Sequence, residues 1–156
     1  MLVASTVGDT AVEAASLFKG YKYVVVTHTE GFKEPDTQEF TEDNRKAVEA
    51  AGGTVLTTTH ALGGINRVLN KPGVIQHNYV VGDLIANALR MFGQGTKVAC
   101  EIAAMAADGG LVRTDEDVIS IAGTGRGADT ALVLRPSNAH RFFAMKVREI
   151  ICKPRL

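Results

Sequence analysis

Apolar residues fall along this chain in short runs that switch between strand and helix spacing. Leu2-Val3-Ala4-Ser5-Thr6 predicts a brief strand, turned by Val7-Gly8. Asp9 or Thr10 then stands where a cap is expected, ahead of Val12, Ala15 and Phe18 at helical spacing, and Gly20 stops that helix. Tyr21 to His28 (YKYVVVTH) is a β-branched run of the kind that forms a strand buried on both faces. Thr29 to Pro35 reads as a loop. Thr37 to Ala51 is polar, with Phe40, Ala47 and Val48 on one side, and predicts a helix ended by Gly52-Gly53. Thr54 to His60 (TVLTTTH) predicts another strand. Strand, helix, strand, helix, strand calls for a parallel sheet with right-handed crossovers. It sets Leu2–Thr6, Tyr23–Thr27 and Val55–Thr59 side by side.

The middle of the chain is more helical. Ala61 to Leu69 predicts a short helix broken by Lys71-Pro72-Gly73. Val80 to Phe92 predicts a longer one that ends at Gly93-Gln94-Gly95. Thr96 to Ala103 (TKVACEIA) fits a strand or the start of a helix, and Ala103 to Asp108 leans helical. Three further strands are expected at Asp117–Ala122, Ala131–Pro136 and Val147–Cys152. No repeat, linker or low-complexity tract interrupts this order.

Size and composition narrow the picture. At 156 residues the chain is a normal length for one domain, spanning 1–156, and 46% hydrophobic against 22% charged residues predicts a packed core. Lys plus Arg and Asp plus Glu each number 17, so no net basic field exists to hold nucleic acid. No apolar run approaches the ~20 residues of a membrane helix. Met1 to Phe18 lacks a basic leader and carries Asp9 and Glu13, so no signal peptide is read and the cytoplasm is expected. Cys100 and Cys152 form no CxxC pair and read as two reduced, buried thiols.

Three segments carry candidate chemistry. At Ser5-Thr6-Val7-Gly8-Asp9-Thr10 a strand ends and a helix starts. Free backbone N–H groups and the helix dipole attract an anion there, and the hydroxyls add donors. The Asp9 carboxylate would repel a phosphate unless it points away; the plainer reading is an ordinary helix cap. Gly123-Thr124-Gly125-Arg126-Gly127-Ala128-Asp129-Thr130 superficially resembles a dinucleotide fingerprint, but a strand rather than a helix follows it. It reads instead as a hairpin-like connection, or as an anion-holding loop with Arg126 as a forked donor. Val26-Thr27-His28 and Thr58-Thr59-His60 both finish in His, and parallel strands would bring both rings to the edge that holds Ser5 and Gly8. Without a third ligand at diagnostic spacing a metal site is not expected. Glu101 follows an apolar stretch, and burial without a partner would raise its pKa. No GxSxG, HExxH or Walker A sequence is present.

Gly95 to Arg155 holds GTKVACEIAAMAADGG, DEDVISIAGTGRGADTALVLRP and FFAMKVREIICKPR in that order. Together with VASTVGDTA and VVVTHTEGF upstream, these resemble a family of small archaeal and bacterial proteins related to the pyruvate kinase C-terminal α/β domain. Lys33 to Gly63 and Lys71 to Val80 match it poorly. The resemblance implies a three-layer α/β/α sandwich with a mostly parallel sheet. It also implies a phosphate held by the Ser/Thr-rich turn on which Ser5, Thr6, Gly8, Asp9 and Thr10 fall. Stand-alone members are associated with FMN. Thr27, His28, Gly31 and His60 carry over by strand-end position, and Arg126 and Gly127 match the RGAD segment. The catalytic barrel of the kinase is missing, so its reaction is not expected. Family members have an extra N-terminal helix before the turn-bearing strand. This chain begins almost at that strand, which implies incomplete cover on one sheet face or cover by a partner subunit.

The function expected on these grounds is binding of a phosphorylated small molecule, FMN first, with no nucleic acid or membrane partner and with a homo-oligomer left open. An FMN-dependent redox enzyme is the first alternative. A regulatory or structural partner protein with a vestigial sugar-phosphate pocket is the second.

Overall fold

The computed structural model describes residues 1–69 and 80–155, so the break expected at Lys71-Pro72-Gly73 lies outside it. Six strands form one mixed sheet: β1 (Leu2–Ala4), β2 (Val24–Val26), β3 (Thr54–Leu56), β4 (Val118–Ala122), β5 (Thr130–Arg135) and β6 (Lys146–Cys152), in the spatial order β3-β2-β1-β4-β5-β6. β3, β2, β1 and β4 run parallel, with Val3 opposite both Val25 and Ile121. β5 and β6 then fold back antiparallel. The first three strands are therefore side by side and parallel, as the alternation predicts. The sheet as a whole is mixed, with three parallel and two antiparallel pairings, because no α-helical crossover separates β4, β5 and β6.

The five α-helices of the described chain are α1 (Asp9–Leu17), α2 (Glu42–Ala50), α3 (Asn66–Leu69), α4 (Val81–Arg90) and α5 (Gln94–Asp108). None is long and apolar enough to cross a membrane. α1 and α2 cover one face of the sheet, where Ala11, Ala15, Val25, Phe40 and Val48 pack together. α5 crosses the other face and meets Leu2, Val24, Val26, Ala122, Leu132 and Leu134. β2 is buried throughout, the pattern of a strand covered on both sides. β5 alternates, with Thr130, Leu132 and Leu134 buried under α5 and Ala131, Val133 and Arg135 half-buried on the opposite face. β6 is exposed along its whole length, and Lys146, Arg148 and Glu149 place charge on that open edge. A 3-10 helix at Ala139–Ala144, unforeseen in the sequence, joins β5 to β6.

Several boundaries differ from expectation. β3 stops at Leu56, so Thr57 to His60 leaves the sheet as a loop. α2 starts after Thr41, whose hydroxyl accepts the Asn44 N–H at 3.3 Å; this cap removes Thr37 to Phe40 from the helix. TKVACEIA lies wholly within α5. Cys100 is buried but Cys152, on the edge strand, is exposed. Burial pushes the Cys100 thiol up to about 11.

α5 lies unusually close to the sheet. A Cβ added at Gly95 would stand 2.1 Å from Thr130 Oγ1 and 2.5 Å from Thr130 Cβ. In an open helix Gly→Ala stabilises by about 1 kcal/mol, whereas forcing a methyl into a filled core costs about 1–3 kcal/mol. Gly95→Ala is expected to lower the unfolding free energy in urea by about 1–2 kcal/mol, reversing the sign that helix propensity alone gives. A raised urea midpoint would contradict this close approach.

Candidate ligand-binding site

β1 is the strand at which the order of the sheet reverses. β2 and β3 lie to one side of it and β4 to the other, so the loops at their carboxyl ends diverge and leave a crevice. A cavity of about 530 Å³ occupies this place, within the usual range for small-molecule sites. Ser5, Thr6, Asp9, Thr10, Thr27, His28, His60, Arg126 and Gly127 all line it. Gly8 and Gly31, expected among the ligand residues, do not.

At one end is the turn from β1 into α1. Gly8 is the helix N-cap at φ 113°, a left-handed conformation that a side chain resists, and it has no side chain of its own to cap the helix. A Cβ there would also fall 2.4 Å from Asn44 Cβ. The packing of α2 thus requires a glycine at this position. Asn44 Nδ2 and the Thr41 N–H both donate to the Val7 carbonyl, at 3.0 and 3.2 Å, and brace the turn from behind. Ser5 Oγ accepts the Ala11 N–H at 3.3 Å. The Asp9 and Thr10 N–H groups find no acceptor among the described residues, which leaves two amides and the positive end of the α1 dipole at the cavity. Asp9 opens this helix rather than capping it. Its carboxylate accepts from Arg126 Nη2 at 2.5 Å, across the gap between α1 and the β4–β5 connection. That connection is a hairpin-like turn, as expected: the Asp129 N–H returns to the Ala122 carbonyl, and Asp129 Oδ2 accepts the Thr124 N–H.

The other end is walled by rings. Phe32 stacks on His28 with centroids 3.9 Å apart, and His60 lies 5.4 Å from each. The Arg67 guanidinium sits over Phe32 at 4.1 Å. Glu39 fixes this group: its Oε2 takes the His28 Nδ1 proton at 2.7 Å and its Oε1 takes Lys33 Nζ at 2.7 Å. Burial raises the Glu39 pKa, but hydrogen bonds from Lys33 and His28 outweigh it and hold the carboxyl below its usual range. Gly31 serves the loop only, as an exposed turn residue whose N–H reaches the Thr37 carbonyl. The Thr27 hydroxyl is committed to the fold, bonded to Thr57 Oγ1 at 2.7 Å and to the His28 carbonyl at 2.8 Å.

The floor of the cavity holds a buried ion pair. Lys97 and Glu101, one turn apart on α5, bond through Nζ and Oε2 and are 8% and 3% exposed. Glu101 Oε1 also accepts the Leu62 and Gly63 N–H groups at 2.9 and 3.1 Å, which ties α5 to the loop carrying His60. Burial raises the Glu101 pKa, but the neighbouring Lys97 ammonium and the Leu62 amide outweigh it, so the group lies below the ordinary carboxylate range. The condition for a raised value, burial without a partner, is not met, because Lys97 stands one helical turn away. His60 Nε2 is buried with no hydrogen-bond partner among the described residues. Burial lowers the pKa of this ring, so it is neutral at pH 7.

No known protein-family model matches this chain.

Phe32, Glu39, Arg67 and Lys97 were not singled out in the sequence. Phe32 and Glu39 sit in a loop without periodicity. The Lys97–Glu101 spacing becomes a signal only once TKVACEIA is read as helix.

Glu101 gives this site a pH signature. A carboxylate with a depressed folded-state pKa stabilises the fold above its unfolded pKa, about 4.3. That contribution is lost as pH falls through the lower folded-state value. Glu101→Gln leaves the Lys97 ammonium buried alone and is expected to cost about 3 kcal/mol at pH 7. The gap to wild type should narrow as pH falls below the unfolded value of about 4.3, where the unfolded chain takes up the proton first. Urea unfolding at pH 7, 5 and 3.5 measures it; a gap independent of pH would mean that the carboxylate is not ionised in the fold.

Proposed function

We propose that this domain holds a phosphorylated small molecule at the carboxyl edge of its parallel strands, with FMN the first candidate. The observation that carries this reading is the cavity itself. One end offers open helix amides, the Thr6 hydroxyl and Arg126; the other offers a wall of stacked rings. A phosphate suits the first end because amides and a guanidinium fork donate N–H groups that stay protonated at neutral pH. A planar heterocycle suits the second, where Phe32 and His60 line the cavity. The unpartnered His60 Nε2 leaves one polar atom for the heterocycle to satisfy. A sugar phosphate would use the first end and leave the ring wall idle, which favours the flavin between the two.

The resemblance to stand-alone relatives of the pyruvate kinase C-terminal domain supports the same reading. It implies a phosphate on the Ser5–Thr10 turn and an association with FMN. A pyruvate kinase C-terminal-like classification is part of this proposal.

The test is titration with FMN followed by flavin fluorescence. Thr6→Val and Arg126→Gln each remove one donor to the phosphate, worth roughly 1.5–3 kcal/mol when the acceptor is charged. Binding should weaken about tenfold or more in each. Arg113→Gln, remote from the cavity, should bind as wild type does. Equal affinity across all four proteins would place the ligand elsewhere. Absence of FMN binding to wild type would remove the flavin and leave the sugar-phosphate alternative, to be tested by thermal shift with sugar bisphosphates.

A further inference from the structure

Resting on the flavin reading, we propose that Lys97, with Glu101 as its counter-charge, sets the electrostatic field at a bound isoalloxazine ring and so makes the cavity favour the reduced flavin. Burying both members of an ion pair is costly, and apolar residues of similar volume often serve stability as well or better. A pair kept at 8% and 3% exposure on the floor of a cavity calls for a reason beyond the fold. Glu101 turns one oxygen to the Leu62 and Gly63 amides and the other to Lys97. The Lys97 ammonium has three protons and hydrogen-bonds Glu101 alone among the described residues, so further donors remain for a ligand. It also lies in the opening turns of α5, whose N-terminus carries partial positive charge and no side-chain cap.

The chemistry of the ring turns this arrangement into a preference. Oxidised isoalloxazine is neutral, whereas the reduced ring at neutral pH carries negative charge on its pyrimidine side. A cation that meets that side binds the reduced form more tightly, because charge near the ring tunes the cofactor's electronics. The carboxylate behind the cation limits the effect. The pair therefore acts as an adjustable charge: removing the anion strengthens the preference, and removing the cation reverses it.

The test reads the midpoint potential of FMN bound to the whole protein, against free FMN, by spectroelectrochemistry. The shift on binding reports the ratio of affinities for the two oxidation states, with a tenfold ratio equal to about 30 mV for a two-electron couple. Lys97→Met should lower the potential of the bound flavin by a tenfold ratio or more, and Glu101→Gln should raise it by a similar ratio. Opposite signs mark an electrostatic role, since mere loosening of the site would move both variants the same way. Lys97→Met/Glu101→Gln strands neither charge and serves if either single variant fails to fold. Its potential should fall, but by less than in Lys97→Met, because the ammonium on the cavity floor is lost together with its counter-charge. Shifts of one sign in both single variants, or a double variant at the wild-type potential, would overturn the role of Lys97. A wild-type protein that binds no FMN overturns the inference at an earlier and separate step, because the titration fails before any potential is read.

Discussion

The short distance between α5 and the sheet is the constraint on which the carboxyl edge depends. Gly95 and then Ala99, Ala103 and Ala106 keep the helix thin on the side that meets β1, β4 and β5, and Ala99, Ala103 and Ala106 are fully buried. Ser120 Oγ, itself fully buried, donates to the Ala99 carbonyl at 2.9 Å and adds a polar tie within that contact. Small residues yield less apolar transfer energy per side chain than Leu or Ile. What they allow is close approach, and close approach carries the start of α5 up to the strand ends. Lys97 and Glu101 reach the cavity only because the helix beneath them is thin.

That position explains how charges are tolerated there. An unpaired buried ion costs several kcal/mol, and each buried ion of this site has answers in place. Glu101 takes an ammonium and two amides. Glu39, near the ring wall, takes a lysine and an imidazole. Each carboxylate also joins segments that would otherwise be independent: Glu101 links α5 to the loop after β3, and Glu39 links the end of β2 to the segment leading into α2. The loops around the cavity are thus fixed by ionic hydrogen bonds as well as by the few apolar side chains they bury, Phe40 and Leu62.

Much of this was legible in the sequence, and the reasons for success and failure are specific. The Val24–Val26 run could be nothing but a doubly covered strand, and its parallel neighbours followed from the helices between. The loop at Gly123 was read correctly because Leu132 to Leu134 behind it has strand chemistry. Thr57 to His60 was misjudged, since β-branched threonines suit a strand wherever they stand, and only the tie from Glu101 shows why the chain leaves the sheet there. Gly8 was identified as the residue that permits the turn, and its positive φ bears that out; its close neighbour Asn44, thirty-six residues on, is a contact that no local pattern reveals. The ring wall was half visible, as two histidines at like strand ends. Phe32 joins it from a loop and Arg67 from the short α3, a meeting that lies beyond reach of periodicity.

The Asp9–Arg126 pair bears on how an anion end can carry a carboxylate. Both side chains are largely exposed, and such pairs contribute about 0–1 kcal/mol to stability. Its consequence is therefore one of placement. An acidic residue in the first turn of a helix is favourable to the helix itself, and here it also brings a guanidinium from the β4–β5 turn to the mouth of the cavity. With its charge offset by Arg126, Asp9 no longer opposes a phosphate at the amides of the same turn. The guanidinium has five donors in a rigid fork, so holding Asp9 leaves others for a second anion. The carboxylate that seemed to argue against a phosphate thus serves to hold a cation where the phosphate would need one.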